Sequence, residues 1–498
     1  MRKSTTNIYL KLNLNISRTG EITTFKMPFN VALYQAAFAV NLLSINTASV
    51  FSWASPSIPL LSSNDKNINP LGRPVTTFEE SCIASLGSAG SVIGTLLSGY
   101  VAEKLGRKKT LFVFSIPTVI LLILTANATN IYLLYLARLI LGSSAGCVLN
   151  VLPSFIGEIS EDSNRGTLGG IFGIMSGIGH LLCFGIGPLV SIRTFAYILL
   201  APVSIFICSY FFLIPESPRY LVSKDDHEEA RKNLKRIRKS SNIEKELQYL
   251  ILVEQNTKNG DKVSLKELFN SPVVIRGLFI SCSMFLIQQI TGVGFILAFL
   301  QQILEASGGV IPPAVACVII GFVQIIFSLF STVLVDRVGR KILLHISSTG
   351  LSLSMLSIGI FFVLKDYNCN VDSIFWLPLA GLIGFYIFLN VGYGFIPWTL
   401  CGELFTTNTK SLCVTISTSF CLLLNSFVNA SFPLLRDTLG MGGVFIMFGT
   451  LTGLSCIFVA LVVPETKGKS FEEIQNALRP KPKSIVLVDY IFDEKIPR

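Results

Sequence analysis

Pro215-Glu216-Ser217-Pro218-Arg219 opens the one long charged interval of a chain that is otherwise mostly apolar. The interval runs to Ser271 through Lys224, Asp225, Asp226, Glu228, Glu229, Arg231, Lys232, Lys235, Arg236, Arg238 and Lys239. About six apolar segments of membrane-spanning length precede it and about six follow. A polar bridge between two equal hydrophobic halves is the pattern of a duplicated polytopic membrane protein. A solvated linker with no further role would carry the same charges, and the flanking halves decide between the two.

Those halves are membrane-like in composition. Of 498 residues, 51% are hydrophobic and 14% charged, against about 25% charged in soluble chains. The 37 Phe and 39 Gly agree, because glycine is frequent where membrane helices pack closely. The 11 Cys fall mostly inside apolar segments, as at Cys183, Cys208, Cys317 and Cys456, where they act as small hydrophobes. With three His and no CxxC spacing, neither a zinc site nor a disulfide scaffold is expected, and no cofactor or metal. The first apolar stretch follows a polar lead and exceeds the roughly 7–15 residues of a signal core, so no signal peptide is expected.

Outward from the bridge, the first half holds expected spans at 31–52, 82–102, 110–126, 131–156, 168–190 and 195–214. The second half holds them at 273–304, 312–335, 342–363, 374–398, 412–434 and 441–463. The expected organisation is a cytoplasmic N-terminus (1–30), two six-helix halves (31–214 and 272–463), a cytoplasmic linker with short helices (215–271) and a cytoplasmic tail (464–498). The charges fit this topology. With both termini and the bridge inside, about 33 of the 40 Lys and Arg are cytoplasmic, while Lys66, Arg73, Arg193, Lys365 and Arg436 are outside. The net charge of +10 is therefore mostly a topology signal, with attraction to an anionic inner leaflet as its consequence. Nucleic acid is not an expected partner.

Several residues stand out against the apolar background. Gly87, Gly90, Gly94 and Gly99 mark a close-contact face on the second span. Arg138 lies in the fourth span, as a functional candidate or as a snorkelling side chain near the outer interface. Asn46 is expected to be the one strongly polar side chain in the middle of the first span, where no carboxylate lies. The seventh span centres on Gln288-Gln289-Ile290-Thr291-Gly292-Val293-Gly294. Adjacent residues point about 100° apart on a helix, so at least one Gln must face protein or water.

The halves also repeat. Glu103-Lys104-Leu105-Gly106-Arg107-Lys108 matches Asp336-Arg337-Val338-Gly339-Arg340-Lys341. Glu158, ahead of Arg165, matches Glu403, ahead of Lys410, and Pro215-Glu216 matches Pro464-Glu465. Glu158 and Glu403 can pair with basic residues of neighbouring turns when the cytoplasmic face is closed, and breaking such pairs lets the halves part. Topology setting and helix capping alone would use the same charges.

With these markers, joined by Pro397-Trp398 and Pro464-Glu465-Thr466-Lys467-Gly468, the chain resembles the sugar porter branch of the major facilitator superfamily over about residues 31–475. Trp53-Ala54-Ser55-Pro56 and the second span look most like insect facilitated trehalose transporter-like proteins. The resemblance implies an all-α polytopic membrane protein of the major facilitator fold, with about 12 transmembrane helices in two pseudo-symmetric halves. It implies substrate-binding roles for Gln288, Gln289, Gln324, Asn390 and Asn425, and a sugar-stacking indole at Trp398. Amides donate and accept as hydroxyls do, and an aromatic face covers the apolar side of a pyranose. It implies a cytoplasmic charge network of Glu103, Arg107, Glu158, Arg165, Glu216, Arg219, Asp336, Arg337, Arg340, Glu403, Lys410 and Glu465.

Three positions depart from the family's pattern: Gly173, Gly294 and Cys421 stand where the resemblance places amide side chains. The loss leaves a roomier, less polar pocket, suited to a disaccharide or to weak hexose binding. The aspartate of proton-coupled members falls on Asn46, which cannot titrate. The expected function is thus facilitative uniport of a hexose or trehalose across the plasma membrane by alternating access. A non-transporting sugar sensor on the same fold and a proton-coupled symporter are the alternatives. No His/Asp/Ser constellation supports an enzyme.

Overall fold

The computed structural model describes residues 30–66, 68–161, 164–238, 242–259, 271–405, 407–463, 465 and 473. The N-terminal residues 1–29 and, except for Glu473, the amphipathic stretch expected at 471–478 lie outside the described residues. Among the described residues the secondary structure is helical throughout. Eleven stretches are long and apolar enough to cross a membrane. The last, Thr409–Val462, has 54 residues, well beyond the roughly 20 that one crossing needs. It breaks at Gly440, where φ is 71°, a conformation that costs a residue with a side chain about 1–2 kcal/mol. Counted as two, it brings the crossings to the expected twelve.

The chain divides into two compact units. The first comprises residues 1–260, 294–325 and 429–434. Its membrane helices are α1 (Val31–Ser52), α3 (Thr77–Leu105), α4 (Arg107–Ala126), α5 (Ile131–Ile159), α6 (Arg165–Gly185) and α7 (Ile192–Phe212), with the short α2 (Ala54–Leu61) following the turn at Trp53. A capping box between Thr76 and Glu79 starts α3, satisfying backbone donors that a helix end leaves open. Helix α1 packs against α5, α6 and α7. Its middle carries Asn41 as well as Asn46; Asn41 folds onto its own helix, its amide donating to Ala37 O at 2.8 Å.

Helices α3 and α5 touch backbone to backbone, as the glycine spacing predicts. A Cβ on Gly90 would sit 1.8 Å from Leu139 O, and one on Gly94 would sit 1.8 Å from Ser143 O. The contact is reciprocal, since a Cβ on Gly142 would sit 2.0 Å from Gly87 O and one on Gly146 2.0 Å from Ser91 O. Ser91 Oγ donates to Gly142 O at 2.9 Å and Thr95 Oγ1 to Gly146 O at 3.2 Å. Gly99 is the exception: a Cβ there would meet only Asn150 Nδ2, at 3.7 Å.

The bridge forms α8 (Pro218–Ser223), α9 (His227–Ile237) and α10 (Ile243–Asn259). They close on a small core of Leu221, Val222, Ala230, Leu234 and Leu247. Arg238, almost fully buried, donates to Ile159 O at 2.6 Å and to Ser160 O at 3.3 Å, and pairs with Glu246 at 2.9 Å. A cation on the last carbonyls of α5 complements the helix dipole and fastens the bridge to that helix.

The second unit comprises residues 261–293, 326–428 and 435–498. The relevant helices are α11 (Pro272–Ile290), α12 (Val293–Ser307, assigned to the first unit from Gly294), α13 (Pro313–Val338, shared), α14 (Arg340–Asp366), α15 (Leu377–Val391), α16 (Ile396–Glu403) and α17 (Thr407–Val462). Within this unit α14 packs on α15 and α11 on α16. Two spans are interrupted: α11 stops before Gly292, which has φ 82°, and α15 stops before Gly392-Tyr393-Gly394.

Candidate functional site

The two interruptions of the second unit make its polar centre. Because the chain is not helical at Tyr393, its carbonyl is free of an intrahelical partner and accepts from Gln288 Nε2 at 2.6 Å. Unwound backbone at membrane depth is tolerated only where protein or water supplies such partners. Tyr393 is fully buried, and its hydroxyl lies 3.0 Å from Ser348 Oγ and 3.1 Å from Ser455 Oγ. Gln289 sits beside Gln288 in the last turn of α11 and is 4% exposed. Its Oε1 accepts from Asn425 Nδ2 at 2.8 Å, and its Nε2 donates to Cys421 Sγ at 3.3 Å. The Cys421 thiol in turn reaches Gln288 Oε1 at 3.8 Å.

The structure thus gathers Gln288, Gln289 and Asn425 into one network, with Cys421 between the two glutamines. Trp398, half-buried, meets Phe285 edge-to-face at 5.0 Å. Asn390 donates to Tyr386 O of its own helix at 2.8 Å. Gln324 lies in the first unit, its Nε2 2.9 Å from His180 Nδ1. Tyr393 and His180 escaped the sequence reading. The glycines flanking Tyr393 were the available signal for a broken helix with a free carbonyl; a lone histidine in a span was the signal for His180.

In the first unit, Arg138 is 4% exposed, so it does not snorkel. Its Nε donates to Ile83 O at 3.1 Å and its guanidinium lies 5.3 Å from the Trp53 ring centroid. It makes no ion pair with a carboxylate among the described residues. It lines a cavity of about 20 Å³ with Asn46, Ser49, Trp53, Thr118 and Thr125, room for about one water. Asn46 donates to Leu199 O at 2.9 Å, while its Oδ1 is buried with no partner among the described residues.

Each unit also carries one copy of the charged turn. In the first, Gly106 (φ 90°) starts α4 without a side-chain cap, and Glu216 replaces it by accepting from Lys108 N at 3.0 Å. A Cβ on Gly106 would sit 2.6 Å from Glu216 Oε2. Burial raises the Glu216 carboxyl above its ordinary value, while the N–H groups of Lys108 and Ser217 work against that rise. Arg107 pairs with Glu158 at 2.8 Å, and Glu158 also accepts from Ser217. In the second unit, Gly339 (φ 108°) starts α14, Glu465 accepts from Arg340 N at 3.1 Å and Lys341 N at 3.0 Å, and Arg340 pairs with Glu403 at 3.0 Å. Glu103, Arg165, Arg219 and Lys410 are exposed. The side chains of Asp336 and Arg337 lie outside the described residues.

Comparison with known proteins was made against this geometry. The sequence model of the family described as "Sugar (and other) transporter" matches residues 29–478. The chain is 33% identical over 445 residues to the facilitated trehalose transporter Tret1 of Bombyx mori, covering 89% of this chain and 86% of that one. It is 31% identical to Tret1 of Anopheles gambiae over 89% of this chain, and spans about half that relative's length (55%). The inward-open xylose transporter XylE from E. coli superposes with a TM-score of 0.73 at 19% identity, over 89% of this chain and 99% of that one, a likeness of fold. A matched family model over nearly the whole length, a close sequence relative and a shared twelve-crossing architecture have one reading: this chain is a multi-pass membrane protein of the major facilitator fold and belongs to the sugar (and other) transporter family.

Proposed function

We propose that the protein is a facilitative sugar transporter of the plasma membrane, moving trehalose or a hexose by alternating access, with both termini in the cytoplasm. The observation that carries this is the network of Gln288, Gln289, Asn425 and Cys421 at the broken end of α11. Clustered amides in a span serve a polar solute that both donates and accepts hydrogen bonds. The half-buried Trp398 supplies an apolar face for the ring. Asn390, in the same unit, contributes a further amide. The relatives that carry the name of trehalose transporter favour a disaccharide.

Uniport is favoured over proton symport by the cavity at Arg138. A buried arginine facing Asn46 has no titratable partner there to load and release a proton. The halves 31–214 and 272–463 are the moving bodies, and the linker 215–271 stays on the cytoplasmic side against an anionic leaflet. The Arg107–Glu158 and Arg340–Glu403 pairs and the Glu216 and Glu465 caps hold one state of the cycle and loosen in the other.

Radiolabelled trehalose and glucose uptake in a transport-deficient cell, with and without a proton uncoupler, tests this. Saturable uptake that ignores the uncoupler and falls in Gln288→Ala is the expected result. Uptake abolished by the uncoupler would establish symport instead. Binding of either sugar without uptake, with the protein at the cell surface, would make it a sensor.

A further inference from the structure

We propose that Tyr393 is a positioning residue for the sugar site: its buried hydroxyl, held by α14 and α17, fixes the backbone carbonyl that turns the Gln288 amide so that its oxygen is offered to the ligand. The inference rests on the sugar-transport reading above. Every residue it uses belongs to the second unit. Tyr393 is fully buried, and it commits each of its polar groups. Its N–H donates to Ser347 Oγ at 3.3 Å. Its carbonyl accepts from Gln288 Nε2 at 2.6 Å. Its hydroxyl lies 3.0 Å from Ser348 Oγ on α14 and 3.1 Å from Ser455 Oγ on α17. Ser348 Oγ donates to Leu344 O at 2.7 Å, and Ser455 Oγ to Thr452 O at 2.6 Å. A serine has one hydroxyl proton, and each of these gives it to its own helix. Both serines therefore face Tyr393 as acceptors, and the phenol is the donor.

A tyrosine side chain turns about two torsions only. With the ring pinned at its far end and the N–H at its near end, the peptide at 393 is held, although α15 has already ended at Val391 and Gly392 leaves helical geometry at φ −137° and ψ −79°. Gly392 itself lies hard against α14, where a Cβ would sit 2.5 Å from Ser347 Cβ. The consequence falls on Gln288. An amide offers donors on one side and an acceptor on the other. With Nε2 given to the Tyr393 carbonyl, Oε1 is the atom left for a ligand, beside Cys421 Sγ at 3.8 Å. Gln289 is turned the other way, with Oε1 taken by Asn425 at 2.8 Å and Nε2 toward Cys421 Sγ at 3.3 Å. The two amides thus present an acceptor and a donor on either side of a thiol that bonds weakly. Were the carbonyl free to swing, the Gln288 amide could turn over and offer the wrong group. A phenylalanine would fill the same space, so the hydroxyl has a task only if the carbonyl must be held.

The test is radiolabelled trehalose uptake in a transport-deficient yeast, or glucose uptake if only glucose is carried, with rates normalised to protein at the cell surface. The variants are Tyr393→Phe, Gln288→Asn, their double, and Ser348→Ala/Ser455→Ala with and without Gln288→Asn. Gln288→Asn keeps an amide but is one methylene short of the carbonyl. Tyr393→Phe strands no serine proton and is expected at normal surface levels. It should raise KM about five- to tenfold with Vmax held within about twofold, the size of one lost uncharged hydrogen bond. The double variant should match Gln288→Asn, because the hydroxyl acts through Gln288. Should Tyr393→Phe fail to reach the surface, Ser348→Ala/Ser455→Ala, which removes the acceptors instead, carries the same comparison. Should Gln288→Asn abolish uptake, the split between KM and Vmax decides alone. An unchanged KM, a loss confined to Vmax, or effects that multiply in the double variant overturn the positioning role and leave the transport reading intact. Absence of saturable wild-type uptake of both trehalose and glucose overturns both.

Discussion

Cys421 illustrates what one side chain decides. Its thiol stands between Gln289 Nε2 at 3.3 Å and Gln288 Oε1 at 3.8 Å, where a sulfur is a weak acceptor and a weak donor. An amide at this position would offer stronger partners to a hydroxyl. Cys421→Asn is therefore expected to lower KM for glucose by roughly three- to tenfold. A KM for glucose that does not move would separate Cys421 from the sugar. Asn46 makes the complementary case. Asn46→Asp would place a titratable carboxylate in the cavity lined by Arg138. An ion pair there forms and breaks with protonation, so uptake in this variant should become sensitive to an uncoupler that the wild type ignores. Equal insensitivity in both would detach this cavity from coupling. Neither neighbourhood follows from sequence spacing, since Cys421 is far along the chain from Gln288, as Arg138 is from Asn46. What the sequence does show at this scale is polar side chains where apolar ones are the rule.

At the scale of elements, the glycines of α3 sort into two kinds. Gly94 faces the backbone of α5 so closely that any Cβ would force the helices apart, whereas Gly99 has room. Gly94→Ala is expected to cost about 1–3 kcal/mol through overpacking and Gly99→Ala close to nothing. Detergent-solubilised melting curves would show it, and equal loss in both would remove the close-contact account. The stripe of small residues was legible because it repeats at helical spacing. Which of its members makes the contact was not, since that depends on where the partner backbone runs. The same limit applies to the broken helices. Gly292 and the Gly392–Gly394 pair announce interruptions, but the use made of the freed Tyr393 carbonyl, as acceptor for Gln288, is a tertiary fact.

For the whole molecule, the doubled turn carries the strongest expectation. Arg340 pairs with Glu403 at 3.0 Å in one unit as Arg107 pairs with Glu158 at 2.8 Å in the other. Reversing one member leaves two like charges face to face. Glu403→Arg alone should cut uptake at least tenfold and shift cysteine accessibility between the two faces of the membrane, and Arg340→Glu added to it should recover a substantial part. A swap no better than the single change would reduce the pair to a topology signal.

Some of this protein was written in its sequence and some was not, and the division has a physical cause. The bilayer forces every span to be long, apolar and helical, so the number of crossings, the two halves and the charge bias of the loops are visible residue by residue. The repeat is visible because duplicated turns keep their order. Partnership is different. Gln289 with Asn425, Gln324 with His180, and Arg238 with the last carbonyls of α5 join residues far apart in sequence. A hydrogen bond depends on distances of a few tenths of an ångström, and only the packed helices set those.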